Sequence, residues 1–365
     1  MIHIECFHIL IVAKYFKTSN DFLNLEMVCK KYYNFTNNFH FNPISVSENN
    51  LALFSNVETI HLYSPCDDFF PEKAFFQKIV HYKVIHSSLP NALPEPVTYS
   101  FVEYVVNGYY SKEIVSIPPL VTSISDGCFR GCFALSSVSL CSTVTRLGAA
   151  CFYGCCNISN ISIPHNVIFI GKDAFNWCSS LEQIVLPKFI TKLENTTFCG
   201  CSKLSEVELP QYLINIGESC FSGCSSLRKI EILENVEEID SGAFSDCSKL
   251  EIVLFKTTKL VTIKNRMFQN CSNLENIELP CGITNLGNYA FSFCYKLSEI
   301  VMNEELEEIG DSTFMGCKML SNVALNQKLK EIKIFAFKDC RCLSYLNISK
   351  SVKLGAECFE GCLFH

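Results

Sequence analysis

The amino-acid sequence predicts a solenoid of about eleven 23-residue repeats over residues 114–365, with a parallel β-sheet and short helical turns, preceded by a small helical N-terminal segment. Three observations predict this fold. Phenylalanine recurs at a nearly constant interval, a cysteine follows each of these phenylalanines by three residues, and an alternating apolar segment ends in proline in many units. A fixed period of roughly 20–50 residues is the sequence signature of stacked repeats.

The phenylalanine column contains eleven residues spaced by 23 residues, apart from one interval of 24 and one of 22. Its members are Phe129, Phe152, Phe175, Phe198, Phe221, Phe244, Phe268, Phe291, Phe314, Phe337 and Phe359. The cysteine column comprises Cys132, Cys155, Cys178, Cys201, Cys224, Cys247, Cys271, Cys294, Cys317, Cys340 and Cys362. An Ile or Leu also stands five residues before each phenylalanine. Each unit therefore contributes the same residues to one continuous core.

A short strand is expected after each cysteine. Segments such as Val207, Glu208, Leu209 and Pro210 alternate apolar and polar residues, which is typical of a strand with one buried face. Proline ends the strand because it cannot donate a hydrogen bond to the next strand. One unit cannot bury its apolar face alone, so the units are expected to stack into a parallel sheet.

Composition and charge argue against several functions. The 30 Lys and Arg residues are outnumbered by 37 Asp and Glu residues, and the net charge of −7 disfavours a nucleic-acid partner. The sequence contains no nucleotide-binding loop, metalloprotease motif or nucleophile elbow, so we expect no enzyme activity, no cofactor and no small-molecule substrate. No apolar run approaches the roughly 20 residues that a membrane-spanning helix requires.

The 23 cysteines follow the repeat and do not predict a disulfide framework. Besides the cysteine column, four stand directly before the phenylalanine, where other units have alanine: Cys128, Cys151, Cys220 and Cys358. Cysteine in such positions acts as a small buried hydrophobe. A metal site at pairs such as Cys220 and Cys224 is the alternative, but the periodic member recurs in other units without a companion. Reduced thiols indicate a cytoplasmic location.

Residues 170–187, IGKDAFNWCSSLEQIVLP, and residues 216–233, IGESCFSGCSSLRKIEIL, resemble the BspA-like leucine-rich repeats, also called the Treponema pallidum type. This family occurs in bacterial surface proteins and in protists, where it is associated with adhesion and protein binding. The resemblance implies a leucine-rich repeat solenoid that binds a protein ligand. Six units have glycine directly after the Ile or Leu column, whereas others have residues such as Glu194, Asp240 and Lys264. We therefore expect a turn that tolerates left-handed or solvated residues.

Two segments precede the array. Residues 1–45 contain two stretches of helical spacing, and Thr18 to Asp21 offer N-cap residues to the second. This pattern resembles an F-box, whose helices recruit a ubiquitin-ligase adaptor, although the leading Leu-Pro of that motif is missing; a helical cap on the solenoid is the alternative. Residues 46–113 are interpreted as a degenerate repeat or linker, with a strand over 57–63 and a proline-rich boundary over 89–96.

The outward strand positions, five and seven residues after each cysteine of the column, are the candidate partner-binding residues. They include Glu206, Glu208, Lys229, Glu231, Ile252, Leu254, Glu278 and Glu299. The stripe is mildly acidic, which favours either a basic protein partner or simple solubility of an exposed sheet. Ile252 and Leu254 interrupt it, and either a binding hot spot or a locally shifted strand explains them.

Cys362 is the fourth residue from the end of the sequence and is followed by two apolar residues, which is the pattern of a prenylation signal. Its place in the cysteine column is the competing explanation. We expect a cytoplasmic, non-catalytic scaffold that binds a protein partner, and that contacts the plasma membrane only through a lipid on Cys362. The alternatives are a surface-displayed adhesin and a substrate receptor of a ubiquitin ligase.

Overall fold

The computed structural model describes residues 12–13, 15–28, 32, 35–45, 47–64, 67, 77–80, 84–85, 97–99, 102–105 and 112–363. The chain divides into two compact units. The N-terminal unit comprises Met1–Tyr104 with Leu120–Thr122, and the repeat unit comprises Val105–Pro119 with Ser123–His365.

The N-terminal unit contains α-helices at Ser19–Val28 and Glu48–Leu51 and a 3-10 helix at Phe35–Asn38. The Ser19–Val28 helix begins at the N-cap residues that the sequence predicted. Asp21 Oδ2 accepts a hydrogen bond of 2.8 Å from the Thr18 backbone N–H. This contact satisfies a backbone donor that has no partner within the helix. The earlier predicted helix lies mainly within residues 1–11, which are outside the described residues.

Parallel strands follow in the same unit. Their bounds are Thr59–Leu62, Gln77–Val80, Val84–Ile85, Val97–Tyr99 and Val102–Tyr104. Thr59 pairs with Gln77 and Lys78 pairs with Val97, so the interval between strands is 18 or 19 residues and is shorter than in the array. The sequence analysis places a boundary between residues 45 and 46. Phe41 forms a β-bridge with Thr59, so residues on the two sides of this boundary are in contact. The proline-rich stretch 89–96 is outside the described residues.

The repeat unit is a parallel solenoid with two ladders of strands. The long ladder consists of Ile114–Ser116, Ser137–Ser139, Asn160–Ser162, Gln183–Val185, Glu206–Glu208, Lys229–Ile232, Ile252–Phe255, Asn276–Glu278, Glu299–Val301 and Asn322–Val323. The short ladder consists of Ser123–Ile124, Arg146–Leu147, Phe169–Ile170, Lys192–Leu193, Asn215–Ile216, Glu238–Ile239, Thr262–Ile263, Asn285–Leu286, Glu308–Ile309, Glu331–Ile332 and Lys353–Leu354. The solenoid and its repeat length are those that the sequence predicted.

The third side of each repeat carries the phenylalanine and consists of hydrogen-bonded turns. The Cys132 N–H donates to the Phe129 carbonyl within the repeat, and the Phe129 N–H donates to the Cys151 carbonyl of the next repeat. In every repeat, the residues two before and two after the phenylalanine have positive φ, as at Ser219 and Gly223. These left-handed residues limit the predicted helical turns to single turns.

The core is a continuous stack of the eleven phenylalanine rings. Neighbouring ring centroids lie between 5.1 Å, for Phe314 and Phe337, and 5.7 Å, for Phe244 and Phe268. The cysteine column packs beside this stack, and its thiols also donate hydrogen bonds. Cys201 Sγ, for example, donates to the Phe175 carbonyl of the preceding repeat at 3.2 Å. The thiols therefore connect adjacent repeats as well as filling space.

The glycines after the short strands are required by close backbone contact. A Cβ atom on Gly217 would lie 2.6 Å from the Asn195 backbone nitrogen of the preceding repeat. The positive φ values of the array occur at other positions, so the expectation of a left-handed turn at these glycines was wrong. Asn195 Oδ1 instead accepts a hydrogen bond of 3.1 Å from the Glu218 N–H, which holds the two backbones together.

The one longer repeat adds its extra residue in a loop. Lys229 pairs with Ile252 and Ile232 with Phe255, so the long strand keeps the 23-residue register. The additional residue lies in the loop after Phe255, where the buried Thr257 Oγ1 donates to the Val236 carbonyl at 2.6 Å. The strand carrying Ile252 and Leu254 is therefore not shifted, which removes one of the two explanations for these residues.

Candidate partner-binding surface

The outward residues of the long ladder form one surface, here called the ladder surface. Seven of the eight candidate residues are exposed on it and Glu231 is half-buried, whereas the alternate residues Ile230 and Val253 are buried. Strand pairing brings some candidates together, with Lys229 beside Ile252 and Glu231 beside Leu254. Period-2 alternation therefore placed these side chains on the correct face.

The ladder surface has a net excess of carboxylates around Lys229. The Lys229 Nζ lies 4.0 Å from Glu231 Oε2, and the two side chains are 55% and 41% exposed. Such exposed pairs contribute little to stability. Among the described residues, no cation lies within ion-pair distance of Glu206, Glu208 or Glu278. The surface can therefore attract a basic partner, and that attraction should weaken with salt.

Ile252 and Leu254 form an apolar patch within these carboxylates. Ile252 is 46% exposed and Leu254 is 37% exposed. A hollow of about 410 Å³ is lined by residues that include Leu254 and Glu278. A second hollow, of about 780 Å³, is lined by residues that include Glu206 and Lys229. The patch thus combines aliphatic side chains with concave surface and peripheral charge, the arrangement found at interface hot spots.

The BspA type leucine-rich repeat region matches this chain in three overlapping segments, residues 102–202, 168–275 and 252–364. Together these segments span most of the sequence. The chain belongs to the BspA type leucine-rich repeat family. The family resemblance predicted from the repeat motif is therefore confirmed.

Solved structures of other leucine-rich repeat proteins are similar to this BspA type chain. A protein from Bacteroides ovatus is 23% identical, with a TM-score of 0.45, and the match covers 70% of this chain and 86% of that one. A leucine-rich cell surface protein from Faecalibacterium prausnitzii is 22% identical, with a TM-score of 0.46 and the same coverage. The T. pallidum leucine-rich repeat protein is 25% identical, with a TM-score of 0.34, covering 58% and 80%. No curated protein matches the sequence.

Cys362 occupies the cysteine column of this BspA type array. Its Sγ donates to the Phe337 carbonyl at 3.1 Å, and the residue is half-buried. Lipidation would require the thiol to leave this contact, and it stays a prediction. Within the described ranges, no helix is both long and apolar enough to cross a membrane. No group of three or more potential metal ligands occurs in that same part of the chain.

Val185 and Val301 stand seven residues after Cys178 and Cys294, at outward positions that the sequence predicts, and they are 75% and 51% exposed on the ladder surface. Two exposed aromatic residues were not among the candidates from sequence. Phe189 and Tyr212, which are 51% and 45% exposed, lie in the loops that precede two of the short strands. The signal for this pair was a proline followed two residues later by an aromatic residue in two successive repeats, at 187–189 and 210–212.

Proposed function

We propose that this chain is a non-catalytic scaffold that binds a protein partner through the ladder surface. The exposed Ile252 and Leu254 within a stripe of carboxylates carry the proposal. A partner that presents an apolar side chain ringed by Lys or Arg residues complements this surface, because the aliphatic centre is desolvated while the charges remain at the rim.

Changing Ile252 and Leu254 together to serine should weaken capture of the partner about tenfold or more, since hot-spot residues dominate interface energy. The measurement is affinity capture with the full chain as bait, followed by titration of the captured partner. The matched control changes Ile168 and Ile334, which are 63% and 44% exposed outside the long ladder, to serine and should leave capture unchanged. Equal binding by the wild type and both double variants would contradict a role for the patch.

A ubiquitin-ligase receptor is a second candidate function, supported by the Ser19–Val28 helix. Phe22 is buried, whereas Leu23 and Met27, which share a helix face, are 42% and 75% exposed. Apolar side chains on such a face could contact an adaptor. Co-purification of an F-box adaptor with the full chain should be lost when Leu23 and Met27 are changed to aspartate and kept in Asn24→Asp. Absence of the adaptor from the wild-type preparation would reject this candidate.

The thiols support a cytoplasmic location. The thiols of the cysteine column donate hydrogen bonds to carbonyls of the preceding repeat, as Cys201 Sγ does to Phe175, and a disulfide would remove these bonds. Such thiols persist in a reducing compartment. Labelling of the protein in intact and in permeabilised cells tests this location: staining of intact cells would instead support the surface-displayed adhesin.

A further inference from the structure

Two neighbouring repeats carry an exposed aromatic ring in the loop that leads into each short strand. Phe189 and Tyr212 stand three residues before the Lys192–Leu193 and Asn215–Ile216 strands. Their rings are nearly parallel, with centroids 5.8 Å apart. Other repeats have non-aromatic residues at this position: Thr143, Asn166, Asn235, Lys259, Gly282, Glu305 and Lys328. Because the phenylalanine column already fills the core, the repeat does not require this second aromatic pair.

A hollow of about 600 Å³ lies beside this aromatic pair. Its lining includes the apolar side chains of Phe189, Tyr212 and Ile214 and the charged side chains of Glu237 and Lys259. An adjoining hollow of about 340 Å³ shares Ile214 and Glu237. The hollow thus combines an aromatic ring, an aliphatic side chain and a carboxylate.

Other aromatic rings of the repeat unit lie against cations of the chain itself. The Arg146 guanidinium carbon is 4.0 Å from the centroid of the Phe169 ring, and Lys188 Nζ is 4.8 Å from that of Phe189. Tyr212 has Phe189 stacked on one face, and none of the cations that the structure describes lies over its ring. Since a ring face carries negative potential, its second face can accept a cation from another molecule.

Glu237 supplies the negative charge of the hollow. Its Oε1 lies 2.8 Å from Lys259 Nζ, and the two side chains are 56% and 46% exposed. An exposed pair of this kind is held weakly, and a carboxylate accepts several hydrogen bonds, so a second cation can share Glu237. The net charge of −7 also favours a basic partner.

We propose that this hollow binds an arginine side chain of a partner protein. The guanidinium stacks on the second face of Tyr212 and donates hydrogen bonds to Glu237, while the methylene groups contact Ile214. Arginine fits better than lysine because its planar group can stack and donate two parallel hydrogen bonds. A purely apolar side chain would remove water from Glu237 without replacing its hydrogen bonds. This site is separate from the ladder surface and does not depend on it.

The test uses the full chain and three capped tripeptides whose central residue, between two glycines, is arginine, citrulline or leucine. NMR follows binding through the δ1-methyl group of Ile214, assigned with Ile214→Leu. The arginine peptide should give a saturable shift. Citrulline keeps the shape and loses the charge, so that peptide should bind about 2- to 5-fold more weakly. The leucine peptide should bind no better than the citrulline peptide.

Variants separate the proposed contacts. Tyr212→Leu should weaken binding of the arginine peptide about 2- to 5-fold and leave the affinity for the leucine peptide unchanged, because the substitution removes only the aromatic ring face. Glu237→Gln should reduce the preference for arginine over citrulline, because the charge-assisted hydrogen bond is lost while the contact with the Tyr212 ring remains. Tyr345→Leu, at a tyrosine that is 72% exposed and outside the hollow, is the matched control and should change neither affinity. Absence of a saturable shift, equal affinity for arginine and leucine, or unaltered arginine binding by Tyr212→Leu would overturn the proposal.

Discussion

Replacing Phe221 with alanine is expected to lower the free energy of unfolding by about 3–5 kcal/mol. Phe221 has no exposed surface, and its ring stacks between Phe198 and Phe244 with centroid distances of 5.4 and 5.5 Å. The cavity cannot collapse readily, because backbone hydrogen bonds to both neighbouring repeats fix the surrounding turns. The substitution therefore removes both buried area and two aromatic stacks.

Urea unfolding measures this loss by circular dichroism and by the fluorescence of the single tryptophan, Trp177. Phe189→Ala is the matched control, because Phe189 is 51% exposed, and its effect should stay below about 1 kcal/mol. Each repeat contacts only its neighbours, so Phe221→Ala should also separate the two spectroscopic transitions. Equal unfolding midpoints for the two variants would show that the phenylalanine column does not dominate stability.

Raising the pH above 9 is expected to destabilise the repeat unit through its buried thiols. Burial raises the pKa of the Cys155 thiol to about 12, and it raises the pKa values of Cys178 and Cys224 well above the ordinary value of 9.0. In the unfolded chain these thiols lose their protons near pH 9, whereas in the folded chain they keep them. The stabilisation that these thiols contribute is therefore fully present below pH 9. Above pH 9 the free energy of unfolding falls by up to about 1.4 kcal/mol per pH unit for each thiol, until the pH reaches the pKa of that thiol in the folded chain.

Urea midpoints at pH 7, 8.5 and 10, in the presence of a reductant, test this dependence. Cys224→Ala removes one fully buried thiol, so its stability should fall less steeply above pH 9, by about 1.4 kcal/mol per pH unit. Cys342→Ala removes an exposed thiol and serves as the control. Tyrosine and lysine titrations contribute equally to all three proteins. Identical slopes in the wild type and Cys224→Ala would exclude the thiols as the cause.

The core could be predicted from sequence because its residues recur at fixed positions. The burial of Phe129 and Cys132 follows from the ten other repeats that carry Phe and Cys at the equivalent positions, and the prediction requires no knowledge of the atoms that they contact. Periodicity does not report hydrogen bonding, however. The donation from Cys201 Sγ to the Phe175 carbonyl could not be inferred, since it depends on where the preceding repeat places its backbone.

The glycines show where sequence reasoning chose the wrong physical cause. Gly217 was associated with backbone freedom, but the distance to Asn195 is what excludes a side chain there. The true left-handed positions include Trp177 and Asp246, whose residue types vary too much to form a visible column. Several repeats have glycine two residues after the phenylalanine, as at Gly131 and Gly154, and this recurrence was the available sequence signal for a left-handed residue.

The ladder surface was predictable in location but not in function. Alternation alone places Glu206 and Leu254 on the outer face of a parallel sheet, because successive side chains of a strand point to opposite faces. Alternation says nothing of loops, which is why the pair Phe189 and Tyr212 was not identified. Its stacking depends on two adjacent repeats having the same loop geometry, and that becomes visible only in three dimensions.

The longer repeat shows how this protein can change without refolding. One extra residue after Phe255 leaves the strand pairing intact, and the rings of Phe244 and Phe268 remain stacked. A one-residue insertion in this loop therefore leaves the strands and the phenylalanine stack unchanged, so natural variation or engineering can lengthen the loops of a repeat. New recognition elements can accumulate there one repeat at a time, while the interior remains under a separate and much stricter constraint.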